Sequence, residues 1–153
     1  MDTQSPFAYI SGALTNVPDN KREALKLFYE KLGRMCEKHG LNVYIPHQHS
    51  DPVQHPNLTP REVNLIDHEC VSSCSLLVAY VGVPSFGVGA EITWANLHQI
   101  PIILVVEADQ SLQRQVSRLI RGFEYVRQEI CFTDDADALR QLATYLDRYK
   151  PEH

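Results

Sequence analysis

Leu76-Leu77-Val78-Ala79-Tyr80-Val81 is apolar throughout, and Ile100 to Val106 is the same in character. Neither run alternates apolar with polar residues, so neither suits a strand with one wet face. Both suit strands buried on two faces of a parallel sheet. Such a sheet needs a covering layer on each side, and the rest of the chain supplies amphipathic segments to build it. Ala24, Leu25, Leu27, Phe28, Leu32 and Met35 recur at helical spacing between about Pro18 and His39, and Gly40 closes that helix. Thr59-Pro60-Arg61-Glu62 opens another, with a capping threonine, proline at the first helical position and an acid in the first turn. It is expected to run to about Ser73. Further helices are predicted from Ala90 to about His98, near Ser111–Arg121, and from Asp134 to Tyr149. Short strands are predicted at Phe7–Ile10, Asn42–Ile45 and around Glu129–Phe132, and the proline-rich segment from His47 to Thr59 reads as a loop. The order βαβαβαβαβα specifies an α/β fold, a single doubly wound, flavodoxin/Rossmann-like, five-stranded parallel sheet flanked by helices. At 153 residues the chain reads as one domain, residues 1–153.

Charge and composition narrow the function. Fourteen lysines and arginines against nineteen aspartates and glutamates give a net charge of −5, which argues against a nucleic-acid polymer or a membrane surface as partner. The apolar runs fall far short of the roughly 20 residues that span a bilayer. The N-terminal stretch lacks the basic and apolar regions of a signal peptide, so a cytoplasmic location is expected. Cys36, Cys70, Cys74 and Cys131 contain no CxxC pair, and they are expected to pack inward as small semi-apolar residues.

Ligands of doubly wound sheets bind at the carboxyl ends of the strands, which directs attention to the loops after Ile10, Ile45, Val81 and Val106. Ser85-Phe86-Gly87-Val88-Gly89-Ala90-Glu91 follows the central strand. Its glycines permit close backbone approach, and a helix start offers unpaired N–H groups to an anion; an ordinary strand-to-helix turn would use glycine too. Glu91 is read as lying in the first turn of the helix, where an acid serves either a ligand or the helix dipole. Asp67 lies on the helix leading into the central strand, where a charge commonly faces solvent. Tyr9 sits near the end of the first strand, ahead of Ser11 and Gly12, either as core or as a hydroxyl that orients a carboxylate. His47, His49, Asp51 and His55 carry metal-ligating atoms on a flexible loop, with base recognition or solvent exposure as the alternatives. Trp94 reads as core or as a wall of a base pocket. Asp134, Asp135 and Asp137 read as capping acids, and Arg114, Arg118 and Arg121 as a solvated face, a phosphate contact or an interface.

Tyr9-Ile10-Ser11-Gly12, Asp67 ahead of a strand, and Pro84-Ser85-Phe86-Gly87-Val88-Gly89-Ala90-Glu91-Ile92 together resemble the nucleoside 2-deoxyribosyltransferase superfamily. The resemblance is nearest to its nucleotide branch, the 2′-deoxynucleoside 5′-phosphate N-hydrolases and the CMP/hydroxymethyl-CMP hydrolases. Ser117-Arg118-Leu119-Ile120-Arg121-Gly122 agrees as well. The resemblance implies cleavage of the N-glycosidic bond of a nucleoside 5′-monophosphate, with Glu91 as nucleophile, Asp67 as acid/base and Tyr9 orienting Glu91. It further implies substrate contacts from Ser11, Gly12, Ser85, Gly87, Gly89 and Ser117, no metal or other cofactor, and a homodimer in which Ser117 reaches the phosphate of the neighbouring subunit. Two acids in one pocket are expected to push their pKa values apart. Three features depart from the branch: the loop Ala13–Pro18 lacks arginine, Ser75 stands where an aspartate is common, and the His47–His55 segment is long. Base exchange by a deoxyribosyltransferase, cleavage of an NAD- or ADP-ribose-type bond, and a non-catalytic nucleotide-binding module remain the alternatives.

Overall fold

The computed structural model describes residues 5–51, 53–110 and 116–151. The strands are β1 (Phe7–Ser11), β2 (Asn42–Tyr44), β3 (Leu76–Tyr80), β4 (Ile102–Glu107) and β5 (Val126–Phe132). The helices are α1 (Asp19–Lys38), α2 (Pro60–Ser73), α3 (Phe86–Leu97), the single turn α4 (Arg118–Arg121) and α5 (Asp135–Leu146). All five strands are parallel, in the order β2-β1-β3-β4-β5. The expected doubly wound sheet is therefore present, and every residue of β3 is buried, as its unbroken apolar run requires.

Alternation along the strands sorts side chains into two cores. Ala8, Ile10, Leu76, Val78, Tyr80, Ile103 and Val105 pack with α1 and α5. Tyr9, Leu77, Ala79, Ile102 and Leu104 pack with α2 and α3. With a side-chain period of two, Ser11 shares the face of Tyr9, so both hydroxyls are directed toward the α2/α3 layer. The chain winds outward from β1 toward β2 and from β3 toward β4 and β5, so the topological switch lies between β1 and β3.

Several local expectations hold and a few shift. Thr59 and Glu62 form a reciprocal capping box at the start of α2. Gly40 adopts φ +84 just past α1, the left-handed conformation that glycine takes at no steric cost. Asp134 caps α5 through the Asp137 N–H at 2.8 Å. The loop beginning at Pro46 opens with a 3₁₀ turn, Pro46–Gln48. Strand β5 starts at Val126, three residues before the expected position, because an edge strand tolerates the polar run Arg127-Gln128-Glu129. Of the helix expected near Ser111–Arg121, α4 is the described part; residues 111–115, including Arg114, lie outside the described residues. Cys36 and Cys74 are buried and Cys70 half-buried, but Cys131 is exposed, since β5 alternates and its neighbour Ile130 takes the inward position.

Candidate active site

Helix α3 begins at Phe86 rather than Ala90. Ser85 caps it, its hydroxyl oxygen accepting from the Val88 N–H at 3.4 Å. Gly87 and Gly89 consequently lie inside the first turn, and Glu91 falls in the second. The Gly89 N–H is already committed to the Ser85 carbonyl at 3.1 Å, so Gly89 contributes open space and not a donor.

The one-turn shift aims Glu91 at β1. Its side chain is buried, and Tyr9 donates its hydroxyl proton to Oε1 at 2.7 Å while Ser11 donates to Oε2. Two hydroxyls from alternate positions of one strand thus hold both carboxylate oxygens. Tyr9 cannot give up its proton in this setting, because burial, together with Glu91 and Asp67, holds it far above the ordinary tyrosine range. It is a fixed donor. Asp67 stands close enough on α2 to act electrostatically on both Glu91 and Tyr9, and its Oδ1 is buried with no hydrogen-bond partner among the described residues.

Burial lifts both carboxyls. Glu91 is pushed up to about 7, against the opposing hydrogen bonds from Ser11 and Tyr9, with Asp67 adding to the rise. Desolvation alone raises Asp67 to about 6. Both values climb because one dry pocket penalises both charges, and the Asp67 charge adds to the rise of Glu91 alone, which leaves Glu91 the higher of the two.

At the carboxyl edge of the sheet lies a cavity of about 370 Å³, lined by the loops after β1 and β3 and the start of α3; Tyr9, Ser11, Asp67 and Glu91 are not among its lining residues. Ser85, Gly87, Gly89 and Ser117 all line it, joined by Thr15 and Asn16 from the loop after β1. Its described lining carries no charge. Asn16 holds a left-handed backbone, φ 58, which asparagine tolerates better than most residues.

The chain is 30% identical over 119 residues to the "Putative 2′-deoxynucleoside 5′-phosphate N-hydrolase 1" of Thermofilum pendens, covering 76% of this chain and 82% of that one. The chain belongs to the nucleoside 2-deoxyribosyltransferase-like superfamily. Solved structures agree in fold. The Clostridium botulinum CMP N-glycosidase BcmB superposes with a TM-score of 0.66 at 23% identity, covering 90% of this chain and 98% of that one. A 2-deoxyribosyltransferase from Leishmania mexicana superposes with a TM-score of 0.57 at 12% identity, covering 95% and 99%. No family model matches the chain.

This superfamily member brings its expected residues together in two groups, Tyr9, Ser11, Asp67 and Glu91 in one and Ser85, Gly87, Gly89 and Ser117 in the other. Ser117 is exposed and lines the cavity of its own chain. Gly12 belongs to neither group. A Cβ there would overlap the Tyr29 ring, so packing alone accounts for the glycine. Arg121 is drawn away to Glu129 at 3.0 Å. The His47–His55 side chains do not converge: His47 meets Glu30 at 3.2 Å and Asp51 meets Lys26 at 2.7 Å. His49 stacks on Tyr44 at 4.5 Å between ring centroids, and Tyr44 stacks on Tyr9 at 5.3 Å. Tyr44, beside Asp67 and Cys70, is the site neighbour that motif reading missed. Its signal was its position, since it ends β2 in register with Tyr9.

Burying Glu91 carries a pH-dependent cost. An unfolded chain ionises this residue near its ordinary 4.5, the folded one near 7, so the penalty is absent below that range, grows between the two values and is complete above about 7. Glu91→Gln is therefore expected to exceed the parent in stability at pH 8, by about 3 kcal/mol, and to lose that advantage near pH 4. Denaturant titrations at both pH values check this; the same difference at each would show that Glu91 is not held near 7.

Proposed function

We propose that the protein hydrolyses the N-glycosidic bond of (deoxy)nucleoside 5′-monophosphates. The observation that carries the reading is a buried glutamate at the sheet's switch point, held by two hydroxyls, with an unpartnered aspartate alongside. In the first step Glu91 attacks C1′ as the C1′–N bond breaks, and the bonding pair leaves with the base. Asp67 gives its proton to the departing nitrogen. In the second step water attacks C1′, Asp67 takes its proton, and the free sugar phosphate leaves with Glu91 regenerated. Tyr9 and Ser11 fix the carboxylate. Ser85, Ser117 and the first N–H groups of α3 receive the phosphate.

A cradle whose described lining is uncharged limits what the phosphate can contribute, since charge-assisted hydrogen bonds are roughly twice as strong as neutral ones. Monophosphates are expected to exceed the matching nucleosides in kcat/KM by about 10–100-fold, and Ser117→Ala should shrink that margin while leaving nucleoside cleavage unchanged. Incubating the protein with a panel of ribo- and deoxyribonucleoside monophosphates and their nucleosides, with free base followed by chromatography, tests both statements. Cleavage of nucleosides as fast as monophosphates would remove the cradle from the proposal.

The same neutral lining favours a second reading, base exchange between nucleosides, in which a base replaces water as acceptor. Two labelled bases offered together separate the readings, because a hydrolase yields free sugar phosphate and no exchanged product. The homodimer implied by the resemblance is carried as part of the proposal. Mixing Glu91→Gln with Ser117→Ala protein reports whether Ser117 serves its own subunit or its neighbour, since only a shared site recovers the full phosphate margin.

A further inference from the structure

A cavity of about 920 Å³ lies at the opposite edge of the sheet from the dyad. Its lining includes Pro6, Ser75 and Pro101, which immediately precede β1, β3 and β4, and Tyr125, which precedes β5. Strands of five to seven residues at about 3.3 Å each put roughly 17–23 Å between this edge and the carboxyl ends. The volume falls within the range of small-molecule sites, roughly 300–1,000 Å³.

Charge sets this cavity apart from the rest of the surface. Arg127, Arg148 and Lys150 line it, and none of its described lining residues is acidic, in a chain where acids outnumber bases nineteen to fourteen. None of the three cations has an ion-pair partner among the described residues, although pairs form elsewhere on the surface, such as Lys31–Asp135 and Arg121–Glu129. Three cations with no acidic residue in the described lining repel one another, and an anion relieves that repulsion. The aromatic content is equally distinct. The Arg127 guanidinium lies 4.9 Å from the Tyr125 ring centroid and acts electrostatically on Tyr145. Tyr145 and Tyr149 stack at 5.8 Å, and the Tyr149 hydroxyl donates to the Ser75 carbonyl, which ties the end of the chain to the start of β3. Arg127 also donates to the Glu124 carbonyl at 3.2 Å, so the walls combine aromatic faces with cationic heads, a combination that suits a planar ring and a phosphate chain.

We propose that this cavity is a second ligand site, separate from the dyad, that binds a phosphorylated small molecule bearing a planar ring, a nucleotide in chemical class. Phosphate is held by Arg127, Arg148 and Lys150, and the ring lies against the tyrosines. The full chain, isotopically labelled, is titrated with adenosine 5′-triphosphate, with inorganic tripolyphosphate and adenosine as separate arms, and amide shifts report the location. The expected result is a saturable shift confined to residues near 73–75, 125–128 and 144–150, with triphosphate binding at least tenfold weaker in Arg127→Ala/Arg148→Ala. Both arginines are exposed, and unchanged base release by the double variant verifies its fold; Arg148→Glu alone is expected to weaken binding as well. No saturable shift at this edge, shifts only around Ser85 and Ser117, or unaltered affinity in both variants overturns the proposal. Tripolyphosphate binding as tightly as the nucleotide overturns the ring contact.

Discussion

Glu91→Gln is expected to lower base release by about 10³-fold or more, on the order of 4 kcal/mol in the barrier, while substrate still binds. An amide keeps the shape of the carboxylate and can still accept from Tyr9, but it cannot form the bond to C1′. Two features make this variant informative. Glu91 is buried against two hydroxyls, so water does not readily take its place, and the substitution removes a costly buried charge, so a loss of activity cannot be attributed to a weakened fold. Single-turnover assays on a deoxynucleoside monophosphate, together with a binding titration, check both halves. Near-normal base release by Glu91→Gln would sink the nucleophile assignment.

Asp67→Asn is expected to cost about 10²–10⁴-fold for a substrate with a poor leaving base and far less for one whose base departs without a proton. The pH profile sharpens the test. The proposed reaction needs Glu91 ionised and Asp67 protonated, yet burial pushes Glu91 up to about 7 and Asp67 up to about 6. The working arrangement is therefore a minority form, most populated between the two values, at about pH 6–7. kcat/KM for the parent should follow a narrow bell centred there, falling on the acid side as Glu91 gains its proton and on the alkaline side as Asp67 loses its own. In Asp67→Asn, with the activated substrate, the alkaline limb should vanish and the rate rise to a plateau above pH 7. Persistence of both limbs would assign the alkaline one to another group.

Much of this arrangement could be read from residue patterns. The buried strands β3 and β4 follow from unbroken apolar runs, and α2 from Thr59, Pro60 and Glu62, because these signals depend on neighbours in sequence. The onset of α3 was obscured by Gly87 and Gly89, each costing about 1 kcal/mol in a helix interior relative to alanine. The Ser85 cap and the packing of Val88 and Ile92 against the sheet outweigh that local cost. Ser11 was read as a substrate contact, and its bond to Glu91 depends on which face of β1 meets α3. The stack of His49 on Tyr44 on Tyr9 joins residues up to 40 positions apart, beyond the reach of any local pattern. The size of the shared pKa rise was beyond sequence for a related reason, since it depends on the depth of one pocket as well as on the acids in it.

The placement of Ser85 and Glu91 on one helix has a metrical consequence. Six residues at 1.5 Å each set the backbones of Ser85 and Glu91 roughly 9 Å apart along the axis, and an α-helix neither stretches nor shortens appreciably under the forces a ligand exerts. A molecule that engages both ends is gauged against a rigid rule, whereas a pair of loops would adjust to its length. Lengthening or trimming the α3 rule by one residue would rotate Glu91 by about 100° away from Tyr9 and Ser11, so this spacing is the dimension of the site least open to drift.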